Sequence, residues 1–129
     1  MAKILFIEDD PLINKIYSTR LKADGHEVFS AENGEDGLAK ANDIVPDVIV
    51  LDVMMPRVDG FAVLEKLRQD PRFKEKPVLM YSNLNNEEEI NRAKQMGVTE
   101  FLVKADLSPT QMVAKIKQYI DAMLTPVAS

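Results

Sequence analysis

Five short apolar runs, each separated from the next by a stretch with helical periodicity, constrain this chain more than any other feature. The runs are Ile4-Leu5-Phe6-Ile7, Val28-Phe29, Val48-Ile49-Val50-Leu51, Val78-Leu79-Met80-Tyr81 and Phe101-Leu102-Val103. Most are continuous rather than alternating in polarity, the pattern of strands covered on both faces of a parallel sheet. Parallel neighbours require crossover connections, and the intervening segments carry helix signals. Asp10-Pro11 places an N-cap before a proline at the first helical position; Ile13, Ile16, Tyr17 and Leu21 follow at helical spacing, and Gly25 supplies a stop. A shorter, weaker helix is expected over 33–41. Asp59 caps the next one, with Phe61, Leu64 and Leu67 as its buried stripe and Pro71 beyond its end. Asn86 and Glu89 have capping-box spacing, Glu87 to Glu89 sit at the positive end of the helix dipole, and Gly97 closes that helix. Ser108-Pro109 with Gln111 opens the last helix, whose stripe is Met112, Val113, Ile116, Tyr119, Ile120 and Met123. Five strands and five helices in strict alternation predict one doubly wound α/β domain over 1–124, with 125–129 as a loose tail.

Composition narrows the function classes. The 129 residues fit a single domain with a real core, and 46% hydrophobic with 29% charged residues is an ordinary globular balance. With no cysteine, a disulfide framework and a thiolate metal site are excluded. A net charge of −5 disfavours a nucleic-acid surface. No apolar stretch approaches the roughly 20 residues needed to span a bilayer, and the first residues lack a signal-peptide layout. The expectation is a cytoplasmic protein without direct nucleic-acid or membrane partners.

In open parallel sheets, sites form at the carboxyl ends of the strands. Glu8, Asp9 and Asp10 follow the first run, Asp52 the third, Ser82 the fourth and Lys104 the fifth. Crowded acids repel one another unless a divalent cation sits among them, and an all-oxygen set with few carboxylates suits Mg²⁺. Asp52 then has the makings of a nucleophile toward phosphorus, with Lys104 and the Ser82 hydroxyl to meet the charge of a transferred phosphoryl group.

This arrangement resembles the receiver domain of two-component response regulators over nearly the whole chain. Ile4-Leu5-Phe6-Ile7-Glu8-Asp9-Asp10-Pro11 resembles the family's first strand and acidic pair. Val50-Leu51-Asp52-Val53-Met54-Met55-Pro56, followed by Asp59-Gly60, resembles its phosphoacceptor loop. Ser82 and Lys104 stand 30 and 52 residues after Asp52, and Phe101 stands three before Lys104, at the family's aromatic switch position. The resemblance implies a flavodoxin-like five-stranded sheet in the order 2-1-3-4-5. It implies Asp52 as phosphoacceptor, Asp9 as a direct Mg²⁺ ligand, Glu8 acting mostly through water, and Met54 lending its carbonyl to the metal. Lys104 would pair with the acceptor carboxylate and then with the phosphoryl oxygens, while Ser82 and Phe101 would switch the face formed by the fourth helix, fifth strand and fifth helix. The implied partners are a sensor histidine kinase or histidine phosphotransfer protein and a downstream protein target. Three positions depart from the family pattern: Ala105 where proline usually follows the lysine, Asn83 where a small residue is common, and serine at 82 rather than threonine. Met54 and Leu84, being apolar, would orient a hydrolytic water poorly, so a long-lived phosphorylated form is expected.

Each residue alone has a plainer reading: acid triplets are usually solvated, a lone Asp after a strand is often a turn residue, and a lysine is usually on the surface. Asp10 reads as a helix cap, His26 as structural, and the methionines as packing. An aspartyl-phosphate hydrolase would carry a second Asp two residues after its nucleophile, where this chain has Met54. A flavin carrier needs a phosphate loop after the first strand, and Glu8-Asp9-Asp10 would repel the phosphate. A degenerate, binding-only receiver would be expected to lack Asp52 or Lys104.

Overall fold

The structure, a computed structural model, describes residues 2–55, 59–82 and 86–124. The elements alternate as β1 (Lys3–Ile7), α1 (Pro11–Ala23), β2 (Glu27–Ala31), α2 (Gly34–Ile44), β3 (Val48–Asp52), α3 (Gly60–Gln69), β4 (Val78–Ser82), α4 (Glu87–Gln95), β5 (Glu100–Val103) and α5 (Pro109–Leu124), with a single 3₁₀ turn at Lys104–Asp106. The sheet is parallel throughout and ordered β2-β1-β3-β4-β5, the doubly wound flavodoxin-like arrangement.

The strands bury both faces because their side chains alternate into two separate apolar layers. Leu5, Ile7, Ile49, Leu51, Val78 and Met80 point to one side, where they meet Phe61, Val63, Leu64 and Leu67 of α3 and Ala93 of α4. Ile4, Phe6, Val48, Val50, Leu79 and Tyr81 point to the other, against Tyr17 and Leu21 of α1 and Met112, Ile116 and Ile120 of α5.

Side chains cap the helices where the sequence placed them. Asp10 accepts from the amides of Leu12 and Ile13, Asp59 from Ala62, and Asn86 from Glu89. At α5 the capping box closes in both directions: Ser108 Oγ accepts from Gln111 N at 3.1 Å, and Gln111 Oε1 accepts from Ser108 N at 2.8 Å. Gly25 ends α1 with φ of 89°, a backbone angle that side chains resist.

Two expectations change. The second helix does not stop at Ala41 but runs to Ile44, because Ile44 and Val45 pack on the core before Pro46 enforces an exit. In α1, Ile16 is exposed, whereas Asn14 and Ser18 are buried in its place. Asn14 donates to the Glu8 carbonyl at 3.3 Å and accepts from the hydroxyls of Ser18 and Ser30, so this part of α1 is held by polar bonds rather than by packing.

At the amino end of β4 and β5, the half-buried Arg68 of α3 ties three segments together. Its guanidinium donates to the carbonyls of Gly97 (2.8 Å), Phe73 (2.6 Å), Lys74 (3.3 Å) and Lys76 (2.9 Å) and to Thr99 Oγ1 (3.2 Å). Thr99 in turn accepts from Val78 N and donates its own amide to Val78 O. Among the described residues no helix is long and apolar enough to cross a membrane.

Candidate functional site

Register brings the chemistry together. Ile7 pairs with Leu51, Asp52 with Tyr81, and Ser82 with Val103, so the residues that end β1, β3, β4 and β5 reach one edge of the sheet. There the carboxylates of Glu8, Asp9 and Asp52 each offer an oxygen, all within 4.8 Å of one another. Glu8 is 1% exposed and Asp52 8%, whereas Asp9 faces solvent. Two buried acids beside a third are unstable as a fully charged set, and hard oxygen donors so disposed can bind a divalent cation.

The backbone beneath Asp52 is clamped. A Cβ added at Gly60 would lie 2.5 Å from the Asp52 carbonyl oxygen and 2.9 Å from the Cα of Val53. Gly60 N donates to Val53 O at 3.0 Å, and Val53 N to Tyr81 O at 3.0 Å. The absent side chain at 60 is what lets the start of α3 press against the end of β3. Met54 N donates to Asp52 Oδ1 at 3.2 Å, while the Met54 side chain is 66% exposed beside the acids.

Glu8 is the most fully bonded of the acids. Its Oε2 accepts from Asp10 N at 3.0 Å, and its Oε1 accepts from the Tyr81 hydroxyl at 2.6 Å and from Lys104 Nζ at 3.1 Å. Burial would raise Glu8, but the bonds from Tyr81 and the Asp10 amide, with the Lys104 charge, outweigh it and hold Glu8 below the usual carboxylate range. Asp52 goes the other way. Burial and the Glu8 charge push it up to about 7, against the smaller pull of the Met54 amide and Lys104. Asp9 is raised as well, first by its hydrogen bond with Glu8 and then by partial burial. Without a cation, then, Asp52 retains a proton toward neutral pH that a bound metal would displace.

The expected site residues Glu8, Asp9, Asp52 and Lys104 converge, but Lys104 takes Glu8 as its ion-pair partner rather than Asp52, the residue expected as acceptor. The reason is electrostatic: Glu8 carries its charge firmly, and the Tyr81 ring lies 4.4 Å beneath the ammonium. Ser82 is buried at the carboxyl end of β4. Phe101 is half-buried and faces the α3–α4 layer of the core, not the acids. No peptide bond among the described residues is cis, that between Lys104 and Ala105 included, and the chain passes from Lys104 directly into the 3₁₀ turn. Pro56, Asn83, Leu84 and the tail over 125–129 lie outside the described residues, as does the side chain of Met123. Tyr81 was not legible as a site residue, since it reads as one more apolar position of a buried strand. The available signal was its phenol, which must find a partner when buried.

A family model for the response regulator receiver domain matches residues 4–117. The chain is 37% identical over 117 residues to the DNA-binding dual master transcriptional regulator RpaA of Synechocystis sp., a match covering 91% of this chain and 48% of that protein. It spans about half the length of the first curated relatives it matches. The structure resembles that of the Vibrio cholerae chemotaxis protein CheY4, with a TM-score of 0.86 and 33% identity over 92% of this chain and 98% of that one. It also resembles the Mn(2+)-bound form of response regulator Rcp1, with a TM-score of 0.80 and 25% identity over 92% and 94% of the two chains. The matched span contains all five strands except Lys3 at the start of β1, together with every residue of the acidic edge, and the chain belongs to the response regulator receiver domain family.

Proposed function

We propose that this domain is a phosphorylation-driven switch in which Asp52 accepts a phosphoryl group from the phosphohistidine of a sensor histidine kinase or a phosphotransfer protein. The observation that carries this reading is the cluster of Glu8, Asp9 and Asp52 oxygens within 4.8 Å at the carboxyl edge of the sheet. A carboxylate oxygen of Asp52 attacks phosphorus, the P–N bond breaks, and the electron pair leaves with the imidazole, giving a mixed anhydride on Asp52. Asp9, Asp52 and the Met54 carbonyl would hold Mg²⁺ directly, with Glu8 acting through water. When bound, the ion offsets the charge of the acids and of the incoming phosphoryl oxygens. Mn²⁺ in Rcp1 is in keeping with a hard divalent ion here.

Lys104 lies close enough to Asp52 to lower its pKa, and its ammonium meets the phosphoryl oxygens once it leaves Glu8. The Ser82 hydroxyl, buried at the next strand end, bonds a phosphoryl oxygen but has less reason to approach a bare carboxylate. Its inward shift makes room for Phe101 and reshapes the face of α4, β5 and α5, where a downstream protein target binds. Exposed apolar side chains at Leu12, Ile16 and Met54 lie on or beside the elements that carry the acids and give a phosphodonor protein something to dock on. With Met54 beside Asp52, no polar side chain at that position orients a hydrolytic water, so the anhydride is long-lived and turnover of external substrates is absent. The site works in the cytoplasm, where histidine-kinase catalytic domains and millimolar Mg²⁺ are found.

Intact mass after incubation with a small acyl phosphate tests the reading. One phosphoryl group is expected, dependent on Mg²⁺ and absent in Asp52→Asn. Labelling of Asp52→Asn to the parent level, or labelling indifferent to a chelator, would overturn it.

A further inference from the structure

Tyr81 reaches both members of the Glu8–Lys104 pair with different parts of one side chain. Its hydroxyl donates to Glu8 Oε1 at 2.6 Å, and its ring lies 4.4 Å from Lys104 Nζ, which is itself 3.1 Å from the same oxygen. The ring has little freedom to do otherwise. Tyr81 is fully buried, packed at 6.1 Å against Phe6, which stacks on Tyr17 at 5.4 Å, so the α1–α5 layer of the core sets its orientation. Both bonds converge on one carboxylate oxygen, and the other oxygen is occupied by the Asp10 amide. Glu8 therefore has its acceptor sites largely filled by the protein, and Lys104 is held on Glu8 rather than on Asp52.

We infer that Tyr81 is a positioning residue that locks the metal-free site: it fixes Glu8 by its hydroxyl and keeps Lys104 docked on Glu8 by its ring, so that cation entry and phosphorylation must first release that pair. The inference deepens the proposed function and rests on it for the identity of the cation and of the acceptor. The lock is a ground-state device. It stabilises the empty site through a charge-assisted bond and a cation–ring contact, and whatever stabilises the empty site weakens binding to the filled one. Removing the hydroxyl should leave Glu8 short of one donor in the empty protein, a deficit that hydrated Mg²⁺ can make good.

Mg²⁺ titration of the unphosphorylated protein by calorimetry, beside NMR of the lysine ammonium groups, tests the lock without reference to phosphorylation. Tyr81→Phe keeps the ring and removes only the hydroxyl; it should bind Mg²⁺ roughly three- to tenfold more tightly, the net effect of one ordinary hydrogen bond. Tyr81→Leu removes the ring too, and the Lys104 ammonium resonance should then lose its ring-current shift and exchange faster. Because the leucine variant risks unfolding, Lys104→Gln provides the second route. It should also tighten Mg²⁺ binding, and its effect should not add to that of Tyr81→Phe, since the two act on the same oxygen. Unchanged or weaker Mg²⁺ binding by Tyr81→Phe, with an unaltered melting curve or a lowered one, would overturn the lock, as would strict additivity with Lys104→Gln. Tighter binding in a protein whose Asp52 takes no phosphoryl group would sink the proposed function and leave the lock standing. Normal phosphorylation with parental Mg²⁺ affinity in Tyr81→Phe would sink the lock alone.

Discussion

At the carboxyl end of β4, Tyr81 and Lys104 share one oxygen of Glu8 while Asp52, a strand away, is held up to about 7 by burial and by Glu8 itself. At the amino end of the same strand, Arg68 spreads its charge over four carbonyls and a hydroxyl, with no carboxylate among those partners. Both regions withdraw ionisable groups from water. At Arg68 the charge is met by neutral dipoles fixed in the backbone, an arrangement with no better alternative nearby. At the acidic edge the Lys104 ammonium stands beside three carboxyl groups and pairs with one of them, so other partners lie within reach. A charge with one good home supports the scaffold, whereas a charge with several sets up a switch.

Breaking the satisfied end should have the largest effect on folding. Arg68→Ala strands carbonyls in the 73–76 turn and at Gly97, and should lower unfolding free energy by about 3 kcal/mol while leaving the folded fraction as able to take a phosphoryl group as the parent. Denaturant titration with parallel intact-mass labelling checks both halves. If labelling of the folded protein fell as well, the two ends would not be separable. The competing end should respond in the opposite manner: Lys104→Ala should slow labelling on the order of a hundredfold with only a modest change in melting temperature, the loss typical of one charged stabiliser of a transition state. Normal labelling with a large drop in stability would make Lys104 a scaffold residue like Arg68.

A third variant sharpens the contrast through pH. Asp52 is raised from the unfolded value near 4 to about 7, so its contribution to stability is present below pH ~4 and is lost as pH rises through about 7. Linkage across that interval gives about 4 kcal/mol, and proton sharing with Asp9 and Glu8 reduces the expectation to about 2 kcal/mol. Metal-free Asp52→Asn should therefore match the parent near pH 4 and exceed it in stability by about 2 kcal/mol above pH 7, with Mg²⁺ narrowing the gap by stabilising the parent. A gap that is constant with pH would refute the account of Asp52 as an acid held up by burial and by Glu8. The smallest effect belongs to a position in neither region. Ser108→Ala opens the α5 capping box and should cost about 1 kcal/mol in denaturant titration, without altering Mg²⁺ binding.

How much of this was legible in the sequence differs between the same two regions. The acidic edge was legible because strand ends announce themselves: an apolar run stops, and the next residue is Glu8, Asp52, Ser82 or Lys104. Caps were legible for a similar reason, since Asp10, Asp59, Asn86 and Ser108 act within three residues of themselves. What escaped was long-range and polar. Arg68 meets acceptors 5 to 31 residues away, and Tyr81 meets Glu8 across 73 residues, separations at which no local pattern exists. The preference of Lys104 for Glu8 over Asp52 was hidden for the same reason, because it depends on which acid keeps its charge. In α1, helical spacing nominated Ile16 for the core, and the buried Asn14–Ser18–Ser30 network took that face instead.

The contact beneath Asp52 has a consequence for which sequences this fold will accept. With 2.5 Å between a would-be Cβ at position 60 and the Asp52 carbonyl oxygen, even alanine has no place to go, and the obstacle is backbone rather than a side chain that might swing aside. A library randomised at 59, 60 and 61 and sorted only for folded protein should return several polar caps at 59 and several large apolar residues at 61, but glycine alone at 60. The floor of the pocket is thereby closed to mutational drift, and new specificities in such a domain have to be written on its other walls.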